Sequence, residues 1–292
     1  MPGLINCHAA LHRKYPGEPS TMTTLIAWIS IDQRAPSAFY MASDSRISWG
    51  SERARWDAGR KLFTCRRHPD IFGYTGDVVF PSLVLGQITE AADAALLFRS
   101  DDDSENRHAK FLTAVRASFS RRHNAPDADF RILHGSRQFS GPKAQFKLWC
   151  LSFRASTRSW SDTAIDIPFR QSTLLAAFGS GAESMTSHSR HWETAQGGTS
   201  RAIFGAFCDS LRSHADPLSG GIPQLVGIYH TRMPQAFGII CDNQRYLHGF
   251  PLPPEVHSNV MEWRDELLQR VDGTTLKIMP GAQRHARPKP RQ

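Results

Sequence analysis

Stretches of helical period interrupt the strand-type runs of this chain twice, and that alternation limits the folds open to it. Apolar alternation marks strands near 24–32, 38–44, 61–65 and 70–75. Residues 78–98, poor in breakers, and the amphipathic residues 109–121 have helical length, with an acidic turn at 100–105 between them. Strand-type runs return at 130–134, 146–153 and 163–167. Residues 174–178 lead into Gly179-Ser180-Gly181, where a helix begins, and 199–214 reads as a further helix. Strands near 223–230, 235–241 and 245–249 follow, and 261–271 reads as a short helix. Helix pairs set between blocks of mostly antiparallel strands imply two sheets packed face to face, each covered by a pair. The expected class is therefore α/β, a four-layer α/β/β/α sandwich, and no repeat of solenoid length interrupts it.

Composition narrows the function. With 292 residues, 40% apolar and 21% charged, the chain reads as globular with length for a sizeable core. A net charge of +8 invites a nucleic-acid partner. Much of that charge is terminal, because Arg284, Arg287, Lys289 and Arg291 stand together without an acid. No aromatic side chains interleave with them, so a nucleic-acid-binding module is the weakest reading. The five cysteines are odd in number, dispersed and free of any C-x-x-C pair. That excludes a disulfide framework or structural zinc site and fits the cytoplasm. No apolar run has the length of a membrane span, and residues 1–22 lack the apolar core of a secretory signal. His188 and His191 have near-metal spacing without a carboxylate or cysteine beside them, and Gly179-x-Gly181 is not a dinucleotide fingerprint. Neither a metal nor a cofactor is expected.

The chemistry-bearing segments come in a fixed order. Met22-Thr23-Thr24 directly precedes the first strand, and the second closes on Ala42-Ser43-Asp44-Ser45-Arg46. Then follow Gly59-Arg60-Lys61-Leu62-Phe63, Gly73-Tyr74-Thr75-Gly76, Phe178-Gly179-Ser180-Gly181 and Asp216-Pro217-Leu218-Ser219-Gly220-Gly221. Taken singly, each has a plain structural explanation as a turn or edge residue. In this order and spacing, from Thr23 to about Phe250, they resemble proteasome β-subunits and the HslV-type bacterial peptidase, members of the Ntn-hydrolase superfamily. The resemblance implies the sandwich fold above and a threonine nucleophile, Thr23, at the mature amino terminus. It implies that Asp44 and Lys61 form a pair beside it and that Gly76 lends a backbone N–H to the oxyanion. Ser180 would contact the terminal amine, with Asp216 and Ser219 orienting Ser180 and the threonine.

A terminal threonine brings its own base: an α-amine titrates near pH ~8, so much of it is neutral at physiological pH. The resemblance further implies a substrate pocket of Ile47, Gly59, Phe63, Tyr74 and Val78. Those residues carry no charge, so cleavage after Leu, Phe or Tyr is expected. It also implies a peptide or unfolded-protein substrate, a homo-oligomeric ring and an ATPase unfoldase as a candidate partner. The chain departs from the family in a longer first hairpin, in Ala215 before Asp216 where arginine is common, and in Asp77 after Gly76.

The expected organisation is an extension at 1–22, a proteasome-like domain at 23–253, a C-terminal helix within 254–280 and a basic disordered tail at 281–292. Met22 rather than glycine precedes Thr23, and initiator-methionine removal acts readily on Met-Thr. Translation from Met22, exposing Thr23, is the expectation. Two alternatives remain open: an inactive ring or scaffold subunit, and another Ntn amidohydrolase acting on a small amide.

Overall fold

Two largely apolar runs buried on both faces, β1 (Leu25–Asp32) and β2 (Ala35–Ser43), pair antiparallel from Leu25 opposite Ser43 to Asp32 opposite Ala35. The computed structural model describes residues 23–32, 35–49, 53–168, 170–254, 260–284 and 286–288. The expected extension at 1–22 lies outside the described residues. A short ribbon, β3 (Ile47–Ser48) with β4 (Arg55–Trp56), follows the hairpin. A five-stranded sheet then runs in sequence order through β5 (Leu62–Thr64), β6 (Asp70–Gly76), β7 (Phe130–Gln138), β8 (Gln145–Arg154) and β9 (Ser159–Ala164).

The first hairpin belongs to a nine-stranded sheet. β10 (Thr173–Phe178) flanks β1, and β11 (Gln224–Tyr229) flanks β2. β12 (Gln235–Cys241), β13 (Gln244–Leu247) and β14 (Phe250–Pro251) extend it as a meander. β15 (Trp263–Asp265) joins β12 in parallel, and β16 (Arg270–Val271) pairs with β15.

Among the described residues four α-helices lie between these strands: α1 (Val79–Asp93), α2 (Ser104–Ser120), α3 (Ala182–Gln196) and α4 (Ser200–Arg212). Side-chain oxygens cap two of the helix starts. The Asp103 carboxylate accepts the Asn106 N–H at 2.7 Å, and the Thr199 hydroxyl accepts that of Ala202 at 3.2 Å. Each such cap stabilises by about 1 kcal/mol.

Apolar burial divides into three main clusters. Phe72, Tyr74, Phe130 and Leu151 pack with Leu85 of α1 and Phe111 of α2. Trp28, Tyr40 and Phe237 pack with Trp192 of α3 and Phe204 and Phe207 of α4. Between the sheets, Leu25, Phe39, Met41 and Val226 meet Leu62, Ile71, Leu133 and Leu148. Burying each large side chain contributes about 1.5–3 kcal/mol.

The fold-class expectation is corrected by the secondary structure. The protein is β-rich, with 35% strand against 24% helix and four helices, its sheets mostly antiparallel, rather than a four-layer α/β/β/α sandwich. Part of the difference lies at the carboxyl end. The helix expected at 261–271 is instead strands β15 and β16, separated by a turn in which Asp265 accepts the Leu267 and Gln269 N–H groups. Short strands with a turn between them carry no period long enough to distinguish them from one helical turn. Part of the expected tail is described. Ala282 donates to the Met279 carbonyl at 3.1 Å, and Arg287 pairs with Asp209 and Glu266.

Candidate active site

The antiparallel register of β1 and β2 places Thr24 opposite Asp44, one residue beyond the paired Leu25 and Ser43. Asp44 donates its N–H to the Thr24 carbonyl at 3.1 Å and accepts the Thr24 N–H on Oδ1 at 2.9 Å. Lys61 enters from the start of β5, fully buried, and its ammonium meets three oxygens. These are Thr23 Oγ1 at 2.9 Å, Asp44 Oδ1 at 2.8 Å and the Arg46 carbonyl at 2.5 Å. An ammonium has three protons, so every donor is used. Burial pushes the Lys61 pKa down, and the Asp44 carboxylate works against that fall. The other Asp44 oxygen accepts the N–H groups of Arg46 and Gly220, each at 3.1 Å.

A second group stands beside the first. Ser180 and Ser219 both donate to Asp216 Oδ2 at 2.6 Å, and the Thr24 hydroxyl donates to Ser219 Oγ at 2.8 Å. Gly181 permits this close approach, since a Cβ there would meet Thr24 Oγ1 at 1.9 Å. Asp216 thus holds Ser180, as expected from the sequence, while the hydroxyl that reaches Ser219 is that of Thr24. The Gly220 N–H on Asp44 joins the two groups.

Gly76 ends β6 opposite Phe130 at φ +92°, a conformation glycine adopts without strain. No hydrogen bond of this network reaches it among the described residues. Asp77, the extra carboxylate beside it, accepts the Val79 and Phe80 N–H groups at 3.1 and 3.4 Å, and so is turned toward the start of α1. Of the expected pocket, Phe63 and Tyr74 are buried in the core beneath α1. Ile47 packs against Gly59, and Val78 is half-buried. Burial pushes the Tyr74 hydroxyl pKa up, and that hydroxyl donates to the Arg60 carbonyl at 3.2 Å.

Four participants were given no role by the sequence. Arg46 holds Asp57 through Nε at 2.7 Å and Nη2 at 2.9 Å, and its Nη1 donates to the Pro217 carbonyl at 2.9 Å. It thereby ties the Asp44 loop to the Asp216 loop. The hydrogen bond from Arg46 holds the partly exposed Asp57 carboxyl below its usual range. Gln224 opens β11 fully buried; its side chain accepts the Lys61 N–H and donates to the carbonyls of Asp44 and Gly59. A glutamine heading the apolar run Leu225-Val226 was the available signal, since a buried amide must be satisfied. Thr24 carried no signal beyond its place next to Thr23.

Thr23 itself has φ +135°, a conformation β-branched residues avoid at a cost of about 1–3 kcal/mol. A hydroxyl, a dry lysine–aspartate pair and a serine–aspartate–serine relay can together support nucleophilic attack on a carbonyl. Compared with known proteins, the chain matches no family model and no curated protein.

Proposed function

We propose that this protein is a threonine peptidase that hydrolyses peptide bonds with Thr23 as its nucleophile. The observation that carries this reading is the contact of Lys61 Nζ with Thr23 Oγ1 at 2.9 Å, made while the same nitrogen binds a fully buried Asp44. A cation donating to the hydroxyl stabilises negative charge as it develops on that oxygen.

The reading requires that the bond ahead of Thr23 be broken, because an amide nitrogen is no base. The unfavourable φ of Thr23 exists only while that bond is intact, so its removal relieves strain. The freed α-amine takes the hydroxyl proton as Oγ1 attacks the substrate carbonyl carbon. The amine then passes the proton to the leaving nitrogen as the peptide C–N bond breaks, leaving an ester on Thr23. Water, deprotonated by the same amine, hydrolyses the ester and restores the hydroxyl. The positive charge of Lys61 favours the neutral amine.

The substrate is a peptide or unfolded protein cut after a large apolar residue, within a self-assembled ring in the cytoplasm. The described cysteines are all free and buried, in keeping with a reducing compartment, and no described helix is long and apolar enough to cross a membrane. Val79 and Leu83, one turn apart on α1, are 68% and 63% exposed, which supports contact with a second copy. Intact mass and amino-terminal sequencing of natively expressed, active protein test the proposal. Thr23 at the terminus is the expected result, and Met1 or Pro2 on the active form would overturn it.

A further inference from the structure

A cavity of about 590 Å³ lies away from the threonine site, bounded by the end of β1, the start of α4, the β15–β16 turn and the 281–283 segment. Its wall carries Arg201, Arg264 and Arg270 against a single acid, Asp32. Arg264 and Arg270 are directly opposite each other on β15 and β16, and like charges in that position are destabilising. Arg264 is compensated by Glu262 at 2.8 Å. Neither Arg201 nor Arg270 is paired with a carboxylate among the described residues. Arg201 is half-buried, and among the described residues its guanidinium donates to the neutral side-chain oxygens of Gln196 at 3.3 Å and Gln283 at 3.2 Å. Burial without an acid beside it pushes its pKa down.

Guanidinium groups left in this state are complementary to an oxyanion, which they bind through paired, charge-assisted N–H bonds. The Ser172 hydroxyl and the first turn of α4 stand on the same wall and add donors and positive potential. Two guanidinium groups can each take a separate pair of oxygens, and the volume exceeds that of one phosphate. We propose that this cavity binds a small molecule bearing more than one phosphate group, held by Arg201 and Arg270. The site is independent of the peptidase reading: it shares no residue with Thr23, Asp44, Lys61 or the Asp216 loop.

Inorganic pyrophosphate, titrated into the full chain at constant ionic strength, tests the proposal by calorimetry and thermal melting. Saturable binding is expected, with Tm rising by about 2–4 °C at tenfold excess over Kd. Arg201→Gln and Arg270→Gln should each weaken Kd roughly tenfold, while Arg284→Gln on the tail leaves it unchanged. Because the Arg270 side chain is exposed, its variant keeps the test informative should Arg201→Gln fail to fold. No saturable binding, an equal Tm rise with potassium chloride, or wild-type Kd in Arg270→Gln would each overturn the assignment. Peptide hydrolysis is not read in any arm, so failure here leaves the peptidase proposal standing, and the reverse.

Discussion

A buried ammonium must place three protons, and Lys61 places them on Thr23, Asp44 and Arg46 at 2.9, 2.8 and 2.5 Å. That geometry separates the two roles a variant can disturb. Thr23→Ala removes one acceptor of three, so activity against peptide amides should vanish while chemical denaturation shows little change. Lys61→Met removes the cation and leaves Asp44 buried and uncompensated, which should cost about 3–5 kcal/mol of stability as well as turnover. Adding Asp44→Asn to Lys61→Met should recover part of that stability and none of the activity; denaturant midpoints read the difference. Specificity belongs to this scale too. Asp77 is turned to the N–H groups of α1, so the half-buried Val78, the expected pocket residue not packed into the core, should set an apolar preference. In a panel of fluorogenic peptides varied at the cleaved residue, Leu, Phe and Tyr should exceed Arg or Lys by tenfold or more, from about 1.5–3 kcal/mol of burial. A preference for Arg or Lys would assign the pocket to Asp77.

Between elements, α2 is fastened to the five-stranded sheet through titratable groups. His108 on α2 meets His134 on β7 through their Nδ1 atoms at 2.9 Å and faces Asp162 on β9 at 3.1 Å. His134 in turn meets Asp70 on β6 at 2.9 Å, and Asp70 also accepts from Arg107 at 2.7 Å. Burial, with His134 adding to it, lowers the His108 pKa from 6.5 to about 4. A histidine whose folded pKa is depressed leaves the unfolded state holding more protons across that window. Stability therefore falls as pH drops below the ordinary histidine range, because the buried imidazole resists the proton that the unfolded chain accepts. Melting temperatures of His108→Gln against wild type across that range should show a shallower acid slope in the variant.

The same elements show what a sequence discloses. β1 and β2 and the four helices were legible because each has enough residues to display its period, and the contact of Asp44 with Lys61 because their segments follow one another in the order that carries the resemblance. The strands β15 and β16, three and two residues long, were not. Arg46 with Asp57, and Gln224 with Asp44 and Lys61, act across loops that only tertiary packing brings together.

At the scale of the whole molecule, two sheets bring together segments nearly two hundred residues apart, so that Thr24 touches Ser219 and Gly220 touches Asp44. The proposed ring adds a consequence. Light scattering should give a particle larger than one chain, and Leu83→Glu, which puts a charge on the exposed apolar face of α1, should shift it toward the monomer. A monomeric wild type would remove the ring from the proposal and leave the site chemistry intact. The central claim is that Thr23 Oγ1 attacks the substrate carbonyl, and rapid-quench peptide mapping by mass spectrometry during turnover of a peptide ester tests it most directly. The account predicts the acyl group on Thr23, at the amino terminus of the mature chain, and no adduct in Thr23→Ala. An acyl group on any other residue, or undiminished turnover by Thr23→Ala, would contradict it.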